Sequence, residues 1–206
     1  PGLLDEAPEG DVGYSAERLR QFVNYINAVY EEEDIEFVIV SGDLTDSGEK
    51  SEFLKFKEIM DVLEVPYIPL IGNHDVWPYT DDTIGTRPNG DSLINVLFAD
   101  VFDEAEQFFD SWDDGTRLSY SWNPEAGRNN YLQNYYAEYK GFHFLFMDFD
   151  PRYPAPMNEP GIGPEAEIMD FEGGTWPWVK QKISSLENLG DKNIFLVSHH
   201  PPIKEF

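Results

Sequence analysis

Apolar residues recur along the chain with two different spacings, which predict alternating helices and strands. An apolar face recurs every three to four positions in residues 15–31, where Ser15 is a candidate N-cap, and again in residues 50–63. Short apolar runs at 37–40 and 66–71 are typical of buried parallel strands. This strand–helix–strand order predicts an α/β fold with a parallel sheet and crossover helices.

The second half of the chain has a less regular pattern. Residues 92–112 form an acidic, aromatic helix candidate, continuous or broken, and residues 123–130 are rich in glycine and asparagine. Two strand-like runs, 131–139 and 142–149, meet at Lys140-Gly141 and predict a hairpin. Prolines and glycines in 150–174 predict a long surface loop. Thr175 is the expected cap of a helix ending near 189–190, and a last strand is expected at 193–197.

Length and composition favour one globular domain over residues 1–206. The chain has 206 residues, of which 41% are hydrophobic, so a sizeable core can form. Its longest apolar runs are too short to cross a bilayer, and the first residues do not have the pattern of a signal peptide. We therefore expect no membrane-spanning segment.

The net charge narrows the choice of partners. At a formal charge of −26 the surface repels the backbone of nucleic acids, which makes small anions more plausible ligands than long polyanions. Cations bound at one point would reverse the sign locally. The chain has no cysteine, so any metal must be held by oxygen and nitrogen atoms. Acidity and the absence of thiols favour, mildly, an exported bacterial protein.

Three short motifs carry the candidate chemistry. They are Val-Ser-Gly-Asp at 40–43, Ile-Gly-Asn-His-Asp at 71–75 and Val-Ser-His-His-Pro-Pro at 197–202, each directly after an apolar run. Open α/β sheets build their sites at the carboxyl ends of strands, so these side chains are expected to converge there. Read alone, each motif also suits an ordinary turn. Together, Asp, Asn and His at three strand ends indicate a metal centre.

The order of these motifs resembles that of the calcineurin-like metallophosphoesterase family. The resemblance implies an α/β/β/α sandwich and hydrolysis of a phosphate ester, by a phosphatase or a phosphodiesterase. Two divalent ions, on the order of 3.5–4 Å apart, would activate a hydroxide for attack on phosphorus. Mn, Fe, Zn and Co all suit ligands of oxygen and nitrogen, and the sequence does not choose among them.

The resemblance also implies a role for each motif residue. Asp43 matches the carboxylate that bridges the two ions, while Asn73 and His199 match metal ligands. His74 is expected to face the substrate, where it would protonate the leaving group or stabilise charge on the phosphoryl oxygens, and Asp75 is expected to hold the His74 ring in its useful tautomer. Asp46 matches a position that supports the ligands.

Other residues near the motifs have less specific readings. His200, Trp77 and Tyr79 are candidates for substrate contacts, because they adjoin the metal-ligand motifs. His143 is read as structural, and so are the two acidic residues that end a strand, Asp148 and Asp150.

Two motifs of the family are absent from the sequence. Its members usually begin with Asp-x-His at the end of the first strand and finish with Gly-His-x-His, and neither is present here. We therefore expect a central portion of the domain, incomplete at both ends, that alone binds metal weakly or singly and has little activity. Two alternatives stay open: a non-catalytic scaffold of the same fold, and, less favoured, an acidic calcium-binding adhesion module.

Overall fold

The computed structural model describes residues 14–76, 90–152, 166–186 and 193–200. In these ranges the helices are α1 (Tyr14–Val29), α2 (Lys50–Met60), α3 (Asn73–Val76), α4 (Gly90–Leu97), α5 (Ala99–Phe108) and α6 (Thr175–Ser185). The strands are β1 (Val38–Val40), β2 (Tyr67–Pro69), β3 (Ser111–Asp113), β4 (Tyr120–Asn123), β5 (Arg128–Tyr131), β6 (Tyr135–Tyr139), β7 (Phe142–Met147) and β8 (Ile194–Ser198). Among the helices of these ranges, none combines the length and the apolar character needed to cross a membrane.

The strands form three sheets. β1 and β2 pair in parallel, as the strand–helix–strand pattern predicts. A second sheet has the order β3-β6-β7-β8, in which β7 and β8 are parallel and the other pairs antiparallel. The predicted hairpin joins β6 to β7, and both Lys140 and Gly141 have positive φ, as a tight two-residue turn requires. β4 and β5 form a separate antiparallel pair.

Alternating residues of β6 and β7 contribute to two different layers of the core. Tyr135 stacks on Phe146 with 4.6 Å between ring centroids, and its hydroxyl donates to the carbonyl oxygen of Pro69 at 2.8 Å, so this face packs toward β2. The neighbouring Tyr136 and Leu145 share a second cluster with Trp178 of α6. Tyr135 and Phe146 belong to a first cluster, in which residues of α1 and α2 pack beside β1 and β2. The chain therefore has the layered α/β architecture that the resemblance implied.

Several predicted boundaries are wrong. The helix candidate 92–112 is broken, as one of its two readings allowed, and α4 and α5 meet at the buried Phe98. Its predicted end is wrong, because that end forms β3, where Trp112 pairs with Ala137. The stretch 123–130 contains the turn and most of β5, so the next strand starts at Tyr135 rather than Tyr131. Helix α2 ends at Met60, three residues before its predicted end.

The predicted caps and the long loop also need correction. Ser15 lies inside α1, and Thr175 is the first residue of α6, with Gly174 as the N-cap. The Thr175 hydroxyl instead donates to the carbonyl oxygen of Asp148 at 2.5 Å. Helix α6 ends at Ser185, earlier than predicted. Of the loop expected at 150–174, residues 153–165 lie outside the described ranges, and the described remainder up to Gly174 contains no helix or strand.

Candidate metal centre

The ends of three strands meet at one edge of the fold. Asp43 follows β1, Asn73 follows β2, and His199 follows β8. The Nε2 atom of His199 lies 3.2 Å from Oδ1 of Asn73 and 3.3 Å from Oδ1 of Asp43. The structure thus brings together the three residues that the sequence predicts as metal ligands.

The spacing of these atoms suits a single divalent cation. Ligand atoms that bind one ion at about 2.0–2.2 Å lie roughly 2.8–3.6 Å from one another. Both separations from His199 Nε2, 3.2 and 3.3 Å, fall in that interval. Two oxygens and one imidazole nitrogen also match the ligands that Mn, Fe, Zn and Co accept.

Within the described residues, no three or more His, Asp or Glu side chains converge as metal ligands. The third donor at this point is the amide oxygen of Asn73. Asp43, Asn73 and His199 could therefore hold one ion between them, and metal binding here, like the second ion of the expected pair, stays a prediction.

The backbone around Asp43 adopts a conformation that few residues tolerate. Gly42 has φ +99° and Asp43 has φ +54°, so the chain turns sharply as it leaves β1. Asp is one of the few side chains that enter this left-handed region at low cost. Oδ1 of Asp43 accepts the backbone N–H of His74 at 3.1 Å. Local strain of this kind is concentrated at functional sites, where the surrounding structure maintains it.

Two glycines make room for the ligands. A Cβ atom at Gly72 would overlap the backbone nitrogen and Oδ1 of Asp43. A Cβ atom at Gly42 would come within 2.8 Å of Nδ1 of His199. Each motif glycine is therefore required by the close approach of a neighbouring ligand residue.

Asp43 and His199 form an ion pair at this point. Burial alone would raise the pKa of Asp43, but the His199 hydrogen bond and charge outweigh it and lower that pKa below its usual value. Burial likewise opposes the charged form of His199, yet the hydrogen bond to Asp43 and the charges of Asp150 and Asp43 raise its pKa to about 9. A cation that binds here must displace the His199 proton, so binding releases a proton.

The second nitrogen of the His199 ring is held by the backbone. Nδ1 lies 2.8 Å from the carbonyl oxygen of Ser41, which can only accept, so Nδ1 carries a proton. A hydrogen bond of this kind fixes the ring and leaves Nε2 for a metal.

The His74 ring has a different partner from the predicted one. Its Nδ1 atom lies 2.8 Å from the carbonyl oxygen of Asp46 and 3.8 Å from that residue's Oδ1. Asp75 does not hold this ring: its carboxylate accepts the N–H of Gly72 and the N–H and hydroxyl of Thr45 at 2.8–2.9 Å. The predicted contact between Asp75 and the His74 ring is therefore wrong, and Asp46 orients the ring.

Asp75 instead ties the two ligand loops together. It is fully buried, and this burial raises its pKa to about 7, while its hydrogen bonds from Gly72, Leu44 and Thr45 oppose the shift. Thr45 lies in the loop after β1 and Gly72 in the loop after β2. Asp75 thereby fixes the loop of Asp43 against that of Asn73.

Asp150, which was predicted to be structural, lies beside the candidate metal centre. Oδ1 of Asp150 lies 2.9 Å from Nδ1 of His200, whose ring packs edge-to-face on His199 with 4.4 Å between centroids. Burial raises the pKa of Asp150 to about 6, the His200 hydrogen bond opposes the rise, and the charge of Asp148 adds to it. The parallel pairing of β7 and β8 places Asp150 at the edge reached by the two histidines.

The other predicted neighbours are less closely involved. His143 is buried in the β6–β7 hairpin, where its Nδ1 lies 2.7 Å from the Tyr136 hydroxyl, in keeping with a structural role. Trp77 and Tyr79 lie outside the described residues. A cleft of about 640 Å³ borders Asp43 and His74, and residues of α1 also line it.

Short segments of two curated proteins are similar in sequence to this chain. A probable cyclic nucleotide phosphodiesterase of Xenorhabdus bovienii is 42% identical over 43 residues, which are 21% of this chain and 17% of that protein. A probable glycerophosphodiester phosphodiesterase of Arcobacter nitrofigilis is 45% identical over 40 residues, which are 19% of this chain and 15% of that protein. The matched segments thus span less than a fifth of either curated relative.

A family model covers far more of the sequence. The model of the calcineurin-like phosphoesterases matches residues 10–205, which include all three strand-end motifs and nearly the whole chain. The chain belongs to the calcineurin-like phosphoesterase family.

Proposed function

We propose that this chain belongs to an enzyme that hydrolyses a small phosphodiester with the help of divalent metal ions. The observation that carries the proposal is the meeting of Asp43 Oδ1, Asn73 Oδ1 and His199 Nε2 at the edge of the sheets. Family membership and the phosphodiesterase names of the two relatives support it.

The three converging side chains would hold one divalent ion, and the family resemblance implies that Asp43 would also contribute to a second. When bound, such ions would activate a water molecule for attack on phosphorus and would offset the charge of the phosphoryl oxygens. Mn, Fe, Zn and Co all suit these donors. Asp75 keeps the loops of Asp43 and Asn73 in register through Thr45 and Gly72.

His74 would act on the leaving group. Its Nδ1–H donates to the Asp46 carbonyl oxygen, so a proton transferred to the substrate would come from Nε2, the other ring nitrogen. A proton on Nε2 would pass to the leaving oxygen as the ester bond breaks.

The net charge of the chain and the volume of the cleft support a small substrate. A molecule with a formal charge of −26 repels extended polyanions, which makes a nucleic-acid strand a poor substrate. The cleft of about 640 Å³ beside His74 has room for a small ester. The names of both relatives refer to small diesters, a cyclic nucleotide and a glycerophosphodiester.

The test compares Asp43→Ala and Asn73→Ala with matched controls in the full-length protein. Exposed residues of the same types serve as controls, Asp103→Ala on α5 and Asn24→Ala on α1. With Mn²⁺ and an aryl phosphodiester, we expect each site variant to lose at least about 100-fold in kcat/KM, close to 2.7 kcal/mol of transition-state stabilisation. The controls should stay within about twofold of wild type.

Metal analysis of the purified protein separates the alternatives. A transition metal, lost in the Asp43 variant, supports the enzyme. No metal together with unchanged rates in both site variants would contradict the proposal and favour a scaffold. Calcium alone would favour a calcium-binding module.

A further inference from the structure

The buried carboxylate of Asp150 has no role in the proposed reaction. Asp150 is 1% exposed, and its Oδ1 accepts a hydrogen bond from Nδ1–H of His200 at 2.9 Å. A neutral imidazole carries its proton on one nitrogen or the other. Donation to a buried carboxylate therefore selects the tautomer of His200 in which Nε2 has a lone pair.

Both backbone groups of Asp150, its N–H and its carbonyl, form hydrogen bonds. Its N–H donates to Oδ1 of Asp148 at 3.1 Å, and its carbonyl oxygen accepts from Nη1 of Arg152 at 2.5 Å. Arg152 is buried, forms an ion pair with Asp148 through Nη2, and places Nε 3.7 Å from Oδ2 of Asp91. Such a buried ion cluster leaves the Asp150 backbone little freedom to move.

The His200 ring in turn contacts the metal-ligand residue. Its centroid lies 4.4 Å from that of His199, with the rings at 70°, an edge-to-face packing. The backbone carbonyl of Ser41 fixes one edge of the His199 ring. His200 restrains a face of that ring, so a rotation of His200 would change the space available to His199.

We propose that Asp150 is a positioning residue of the candidate metal centre: it holds His200 in the Nδ1–H tautomer and, through the packed ring of His200, maintains the orientation of His199. The proposal rests on the proposed function for its link to metal, whereas the tautomer of His200 can be measured without any metal. Carboxylates behind histidine ligands commonly set ring orientation in this way.

The first experiment measures the tautomer directly. Long-range ¹H–¹⁵N spectra of the metal-free full-length protein distinguish Nδ1–H from Nε2–H imidazoles. We expect Nδ1–H at His200 in wild type and in the control Glu138→Gln, which alters a carboxylate 3.9 Å from His143 in the β6–β7 hairpin. Asp150→Ala should shift His200 to the Nε2–H form. Asp150→Leu is similar in shape but has no acceptor, and it serves if the alanine variant does not fold.

Either of two results would overturn the positioning role. One is an Nε2–H tautomer at His200 in wild type. The other is an unchanged spectrum of His200 in a folded Asp150 variant.

The second experiment is a calorimetric titration with Mn²⁺. We expect the Asp150 variants to bind Mn²⁺ about 10-fold more weakly than wild type, with Glu138→Gln unchanged. A changed tautomer with unchanged Mn²⁺ affinity would overturn the link from Asp150 to His199. Absence of Mn²⁺ binding by the wild-type protein would instead contradict the proposed function, and the tautomer result would still decide the contact between Asp150 and His200.

Discussion

Position 72 shows how closely the ligand loops approach each other. Gly72 lies directly against Asp43, and a Cβ atom there would overlap the backbone nitrogen and the carboxylate of that residue. The overlap with backbone leaves no side-chain rotation that relieves it. The glycine of the Gly-Asn-His-Asp motif is thus part of the site geometry, although it contributes no ligand.

Gly72→Ala should therefore weaken metal binding more than it lowers the stability of the fold. We expect Mn²⁺ affinity to fall at least about tenfold, because Asp43 must move out of line with Asn73 and His199. The matched control is Gly127→Ala, at a glycine with φ +63° and open space around it. That control should lose about 1 kcal/mol of stability and keep its Mn²⁺ affinity. Equal Mn²⁺ affinities in the two variants, measured by calorimetry, would show that the close approach of Gly72 to Asp43 does not affect metal binding.

The convergence of the three motif residues could be predicted from sequence because each follows a predicted strand. That Asp43, Asn73 and His199 lie near one edge follows from the rule that parallel strands end together, whereas their roles as ligands were implied by the family resemblance. The role of Asp150 could not be predicted in this way. Its contact with His200 depends on the pairing of β7 with β8, which brings together residues 50 positions apart in the sequence. The partner of His74 was missed for a similar reason, because Asp46 reaches it with a backbone carbonyl.

Among the elements, the β4–β5 hairpin has an inverted pattern of exposure. Tyr120 and Trp122 are 59% and 58% exposed, whereas Asn123 and Asn130 are each 2% exposed. Strand prediction relies on apolar residues facing inward, so polar residues on the inner face hide the strand. The predicted end of the helix candidate 92–112 is wrong for a different reason. Its apolar residues continue into β3, whose pairing with β6 depends on residues distant in the sequence.

A carboxylate in the turn of this hairpin pairs with a second carboxylate outside it. Glu125, in the turn, shares a hydrogen bond with Glu167, and this contact, with burial and the Glu167 charge, raises the pKa of Glu125 from 4.5 to about 7. The folded protein thus holds a proton that the unfolded chain has already lost between these values. Stability from this pair is greatest below about pH 4.5 and is lost as the pH rises through 7.

Glu125→Gln should remove that dependence. The amide carries no charge to repel Glu167, so the variant should melt at a higher temperature than wild type at pH 8 and at nearly the same temperature at pH 4.5. The control is Glu172→Gln, an exposed glutamate, which should follow the wild-type curve. Thermal unfolding followed by circular dichroism across this range is the measurement. Parallel curves for wild type and Glu125→Gln would refute the shared proton.

On the scale of the whole molecule, acidic residues dominate both the surface and one part of the interior. Asp91, Asp148 and Asp150 are each at most 1% exposed, and the guanidinium of Arg152 lies among them. A single buried cation therefore offsets several buried carboxylates. The layered fold was predictable from the order of the elements, but this cluster was not, since no local pattern marks Arg152 as buried.

Arg152→Met should destabilise the whole protein. Removal of one partner from a buried ion pair leaves an uncompensated charge, and we expect a loss of about 3–5 kcal/mol in the free energy of unfolding. Lys180→Met, which removes an exposed pair with Asp170, should cost less than about 1 kcal/mol. Urea unfolding of both variants gives the comparison. A cost for Arg152→Met as small as that of the control would mean that the cluster contributes little to stability.

The proposed reaction requires Asp43, Asn73 and His199 to bind one metal ion together. An anomalous difference map from crystals of the full-length protein loaded with Mn²⁺ locates that ion. We expect a peak within about 2.0–2.3 Å of Oδ1 of Asp43, Oδ1 of Asn73 and Nε2 of His199. A map with no peak among these atoms, or with the metal bound only by other residues, would contradict it.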